Sequence, residues 1–100
     1  MIRGEILDKA KEIVTKDRNM QYGSPENNFG VIAELWNAYL GCDYKITPID
    51  VALMMALLKI ARIATGNTKE DNYIDLAGYA ACAAELALSR YSCAPGSEDE

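Results

Sequence analysis

The chain has 100 residues, half of them hydrophobic and 25% charged, which is the balance of one ordinary globular domain rather than a disordered segment. Fifteen acids against ten bases leave a net charge of −5, which argues against the basic face that a nucleic-acid backbone demands. Histidine is absent, so imidazole general bases, Ser-His-Asp and Cys-His nucleophiles and His-ligated zinc are excluded. Any chemistry must come from carboxylates, lysine, arginine, tyrosine or a hard metal ion. Glu98, Asp99 and Glu100 carry −3 of the net charge, so residues 1–97 hold only −2 and the acidity is mostly tail.

Three cysteines, Cys42, Cys82 and Cys93, are odd in number and form no Cys-x-x-Cys, a usage that fits a reducing compartment. The longest apolar run, Val51 to Leu58, is eight residues, far short of the ~20 that span a bilayer. A cytoplasmic protein without membrane contact is expected.

Apolar residues at Ile2, Ile6, Ala10, Ile13 and Val14 predict a first amphipathic helix that stops near Lys16, with a loop over Asp17 to Gly23. Ser24-Pro25-Glu26 is a helix start, with a cap residue, proline at the first helical position and an acid in the first turn. The second helix carries Phe29, Ile32, Ala33, Trp36 and Tyr39 on one broad face and ends at Gly41. Thr47-Pro48-Ile49-Asp50 is a capping box that opens a third helix over roughly 48–64. That helix is apolar nearly all round until Lys59, and Trp36, Phe29, Met54 and Met55 read as core; such a helix is expected to be central. Gly66 closes it, and Thr68-Lys69-Glu70-Asp71 opens a fourth helix that runs to about Tyr91. The fourth helix is rich in small residues, and Gly78, which costs about 1 kcal/mol in a helix interior, signals close packing or a ligand. The expected architecture is all-α, a four-helix antiparallel bundle-like single domain over 1–91, followed by a disordered acidic tail over 92–100.

Antiparallel folding about turns near residues 43 and 67 brings Asp17, Arg18, Tyr22, Glu26, Asn27, Lys59, Arg62, Asp71, Asn72 and Asp75 to one pole. Asp50 lies at the other, about 13 Å away by helix rise. Asp71 and Asp75 stand at i,i+4 on one helix face, where like charges repel unless a cation separates them. Mg²⁺ takes one or two carboxylates plus water and phosphate oxygens, and Glu26 is a third candidate. Lys59 and Arg62, at i,i+3, share a face suited to phosphate oxygens. The same charges also read as two interhelical salt bridges, Lys59 with Asp75 and Arg62 with Asp71, with Asp71 a capping acid and Glu26 a first-turn acid. Residue spacing leaves both accounts open.

The run Asp17-Arg18, Tyr22-Gly23-Ser24-Pro25-Glu26-Asn27-Asn28-Phe29, then Leu35-Trp36, Asp50-Val51-Ala52, Leu58-Lys59-Ile60-Ala61-Arg62, Asp71-Asn72 and Asp75-Leu76-Ala77-Gly78-Tyr79 resembles a family of small phage and prophage proteins. That family is similar to the MazG-like all-α nucleotide pyrophosphohydrolases, and the resemblance covers about residues 5–90. It implies hydrolysis of a nucleoside triphosphate to monophosphate and pyrophosphate with Mg²⁺, or Mn²⁺ in its place, by a helical homodimer or higher oligomer in the host cytoplasm. In that scheme Asp71, Asp75 and Glu26 hold the metal, Lys59 and Arg62 hold phosphates with help from Arg18, Tyr22 and Asn27 meet base or sugar, and Tyr79 meets a phosphate. Of the usual Glu-x-x-Glu and Glu-x-x-Asp pairs, the second is represented here by Asp71 and Asp75, with aspartate first and a spacing of four, and the first has no clean match. The competing expectations are a protein of phage nucleotide metabolism that binds nucleotides without hydrolysing them, and a non-enzymatic helical accessory protein whose polar pole is structural.

Overall fold

A computed structural model describes residues 2–17, 25–41 and 45–91, giving the backbone alone for Asp17, Pro25, Glu26, Asn27, Arg90 and Tyr91. These residues hold four α-helices and no strand: α1 (Arg3–Glu12), α2 (Pro25–Leu40), α3 (Pro48–Ala64) and α4 (Glu70–Tyr91), with a π-helical turn, Ile13–Asp17, continuing α1. The turn includes the stretch in which the sequence pattern of the first helix fades. Thr15 Oγ1 donates to the Lys11 carbonyl at 2.6 Å there, the kind of local bond that competes with the helical ladder. Arg18 and Tyr22, the 18–24 connection, Cys42, Cys93 and the 92–100 tail lie outside the described residues.

Local signals place the helix ends. Gly41, at φ +59°, and Gly66, at φ +106°, adopt the left-handed conformation that stops α2 and α3. Thr47 accepts from the Asp50 amide at 3.2 Å while Asp50 accepts from the Thr47 amide at 3.0 Å, so the capping box forms. Between α2 and α3, Asn37 grips the backbone of Ile46 from both sides. Its Nδ2 donates to the Ile46 carbonyl at 2.9 Å and its Oδ1 accepts from the Ile46 amide at 2.8 Å. This holds Ile46 in the core, 5% exposed, and aims the chain into α3.

The core joins Phe29 and Ala33 of α2, Val51 and Ala52 of α3, and Cys82, Ala83 and Leu86 of α4. Phe29 and Val51 are wholly buried, and the Phe29 ring meets Tyr79 at 6.2 Å between centroids. Three expectations are corrected by this packing. The central element is α4, which packs against α3, α1, α2 and the π-turn, because its alanines and Gly78 let neighbours approach on several sides. Gly78 faces Val14, whose Cγ1 lies 3.0 Å from where a Cβ would stand, so close packing accounts for the glycine. The third helix has neighbours on one side only, and Leu53, Met54, Leu57, Leu58 and Ile60 are exposed. Met54, expected in the core, is 41% exposed, and Tyr39, placed on the broad face of the second helix, is 89% exposed, because they turn away from the Val51–Ala52 and Phe29–Ala33 stripes.

The direction of α1 also differs from expectation. Lys9 meets Glu70 and Val14 meets Gly78, so α1 runs in the same sense as α4 rather than antiparallel to it. The hairpins α2–α3 and α3–α4 are antiparallel as expected, which makes α1 and α2 run the same way. Among the described residues no helix is long and apolar enough to cross a membrane.

Candidate functional site

The pole expected from the sequence is organised by one ion pair. Lys59 Nζ stands 3.0 Å from Asp75 Oδ2, with the lysine side chain 12% exposed and the aspartate 34%. The pair joins α3 to α4 and fixes their register, which brings Arg62 level with Asn72, one turn nearer the end of the bundle. One of the two salt bridges anticipated from spacing is therefore present. The other is not: among the described residues no ion pair joins Arg62 to Asp71, and both are exposed.

Asp71 is also not a capping acid. Helix α4 starts at Glu70, and the turn before it closes through Asn67, whose Oδ1 accepts from the Lys69 amide at 3.2 Å. Asn72, 4% exposed, donates from Nδ2 to the Asn67 carbonyl at 3.2 Å, so its side chain is committed to the same turn. The pole thus presents an exposed guanidinium, an exposed carboxylate and a shielded lysine–aspartate pair. Glu26 and Asn27 have backbone positions at the start of α2, but their side chains lie outside the described residues. No group of three or more acids or cysteines gathers to hold a metal among the described residues. Asp71 and Asp75, one helical turn apart, are the carboxylates this pole offers, and Asp75 Oδ2 is already engaged by Lys59.

Asp71, Asp75, Gly78 and Cys82 follow a 4-3-4 spacing and form one stripe of α4. The stripe leads from the exposed pole into a cavity of about 200 Å³ between α4 and the π-turn, lined by Ile13, Val14, Ile74, Asp75, Gly78, Tyr79 and Cys82. Asp75 and Tyr79, assigned to the site from sequence, both line it. Ile13, Val14, Ile74 and Cys82 read as plain apolar residues, and of these only Cys82 lies on the 4-3-4 stripe, so no spacing in the sequence singles out the set. Away from this cavity, Lys9 pairs with Glu70 at 3.3 Å on the surface and ties α1 to the start of α4.

Residues 5–87 match the domain of unknown function DUF6378. The chain is 43% identical over 77 residues to the Gene 55 protein of Mycobacterium phage D29, covering 77% of this chain and 50% of that protein. It is 43% identical over 84 residues to the Gene 55 protein of Mycobacterium phage L5, covering 83% of this chain and 53% of that one. The chain spans about half the length of the curated relatives it matches. No solved structure matches it.

Proposed function

We propose that this chain, which belongs to the DUF6378 family, binds and hydrolyses a nucleoside triphosphate at the α3–α4 pole. The observation that carries the reading is the Lys59–Asp75 pair with Arg62 and Asp71 exposed one turn beyond it. Such a mixed-charge end suits a phosphate chain with its counter-ion, and the resemblance to MazG-like pyrophosphohydrolases points to the same substrates. Arg62 is the fork that would meet the phosphate oxygens, and Lys59, paired with Asp75 and 12% exposed, would join it as a point charge only when that pair opens. Asp71 and Asp75, with Glu26, would hold Mg²⁺ or Mn²⁺, which would supply charge neutralisation on the phosphates. Arg18, Tyr22 and Asn27 contribute to phosphate, base and sugar contacts. Water adds to the α-phosphorus, the bond to the bridging oxygen breaks, and pyrophosphate leaves.

The test is pyrophosphate release across the ribo- and deoxyribonucleoside triphosphates with Mg²⁺ or Mn²⁺, beside thermal melts. A ligand at 100 times its Kd adds about 2.7 kcal/mol, which raises the melt of a domain this size by about 10 °C or more. Asp71→Asn should remove turnover without moving the unliganded melt. No release and no shift with any nucleotide refutes the reading. The second reading is a non-catalytic helical interaction protein, favoured by the breadth of exposed apolar surface.

We propose in addition that the chain is a homodimer that pairs α3 with α3 of a second copy. Leu53, Leu57, Ile60 and Ala64 repeat at 4-3-4 spacing on the outer face of α3, flanked by Met54, Leu58 and Ala61, with no charge among them. Antiparallel self-pairing sets Leu57 against Ile60 and the large Leu53 against the small Ala64. Leu53, Met54, Leu57, Leu58 and Ile60 are 41–60% exposed on one face, a contiguous apolar surface of the kind that marks an interaction site. Light scattering on the eluting protein should give twice the chain mass, and Leu57→Glu should halve it; a monomeric wild type refutes the pairing.

A further inference from the structure

The cavity beneath the π-turn is too small for a whole nucleotide, and its lining is polar as well as apolar. At about 200 Å³ it exceeds the ~150 Å³ of an apolar protein cavity that admits benzene and falls below the ~300 Å³ at which drug-sized pockets begin. That is room for one flat ring system, with any sugar and phosphates left outside.

Shape and charge agree with this. Val14 Cγ1 lies 3.0 Å from where a Gly78 Cβ would stand, so α4 and the π-turn are in contact there and the cavity lies beside that contact. Ile13, Val14 and Ile74 are apolar, Tyr79 adds a ring that also meets Phe29, and Cys82 is buried. Asp75 supplies the lining's charge among the described residues, and its Oδ2 is engaged by Lys59. Asp71 and Asp75 mark the polar end of the same stripe. From Asp71 to Cys82 the helix rises about 16 Å, the scale of an extended nucleoside triphosphate from its last phosphate to its base.

We infer that this cavity is the base subsite of the chain, taking the flat, uncharged heterocycle of a nucleoside phosphate whose phosphates lie at the Asp71–Arg62 end. The inference rests on the nucleotide reading above and adds to it the location of the base and the direction of the ligand along α4. The π-turn is then the wall that a bound base touches, and Ile13 and Val14 are binding residues rather than core alone.

The test titrates the full chain, with Mg²⁺ present, against nucleoside monophosphates, ribose 5-phosphate and inorganic tripolyphosphate, in the wild type and in Ile13→Phe, which fills the cavity. A nucleoside monophosphate should bind at least tenfold tighter than ribose 5-phosphate to the wild type. Ile13→Phe should erase that difference and leave tripolyphosphate affinity within twofold. If the preference for the nucleotide survives in Ile13→Phe, the base lies elsewhere and this inference fails while the nucleotide reading stands. If neither nucleotides nor tripolyphosphate bind, both fail. Should Ile13→Phe not fold, NMR of the wild type decides: contacts between base protons and the Ile13 and Val14 methyl groups support the subsite. Their absence in a nucleotide-saturated sample overturns it, leaving the cavity a packing defect only.

Discussion

Breaking the Lys59–Asp75 pair from its two sides should have unequal costs. The ammonium sits on a side chain that is 12% exposed, the carboxylate on one that is 34% exposed, and they meet at 3.0 Å. Asp75→Asn removes the counter-charge and leaves a shielded ammonium with a neutral amide. Exposed pairs are worth about 0–1 kcal/mol and breaking a fully buried pair costs about 3–5 kcal/mol, so a mostly shielded lysine should lose about 2 kcal/mol. Lys59→Met keeps the apolar stem and leaves a carboxylate that water reaches, so its cost should be about 1 kcal/mol or less. At about 4–8 °C per kcal/mol for a domain of this size, Asp75→Asn lowers Tm by roughly 8–16 °C and Lys59→Met by a few degrees. Circular dichroism melts and urea titrations of both variants and their double measure this, and the double should cost less than the sum. A Lys59→Met loss equal to or larger than that of Asp75→Asn, or strict additivity, would refute the burial argument. The same reasoning makes Asp75→Asn a poor probe of function, since it perturbs the fold. Asp71, exposed and without an ion pair among the described residues, is the clean one, and Asp71→Asn should change stability by no more than about 0.5 kcal/mol.

Other positions carry equally specific expectations. Phe29, wholly buried between α2, α3 and α4, should cost about 3–5 kcal/mol when cut to alanine in urea titrations. Asn37→Ala deletes both bonds to Ile46 and leaves that backbone to compete for water, so a loss of about 2 kcal/mol is expected; a neutral result would show the clamp to be incidental. Lys9→Ala breaks a pair whose side chains are 51% and 49% exposed, so its effect should stay below about 1 kcal/mol and shrink further as salt is raised.

The helix ends and the position of the polar pole were legible because they depend on short-range chemistry. A threonine three residues before an aspartate caps α3, and glycine supplies the positive φ that ends α2 and α3, whatever the surroundings. The spacing of Lys59 and Asp75 about the Gly66 turn was enough to bring one pair together. It was not enough for Arg62 and Asp71, because Asn67 and Asn72 shape that turn and both charged side chains remain in solvent.

What the residues alone determined, then, is an all-helical chain without histidine chemistry whose mixed charges gather at one end of α3 and α4. What only the tertiary structure decided is which apolar faces find partners. An all-apolar helix such as α3 looks central in sequence, yet burial depends on how many neighbours arrive, and the small residues of α4 draw them there instead. That leaves Leu57 and Ile60 in water, turns α1 parallel to α4, and opens beside Gly78 a cavity that no residue pattern announces. A cavity is the space between elements, and its size is set by how closely their backbones approach.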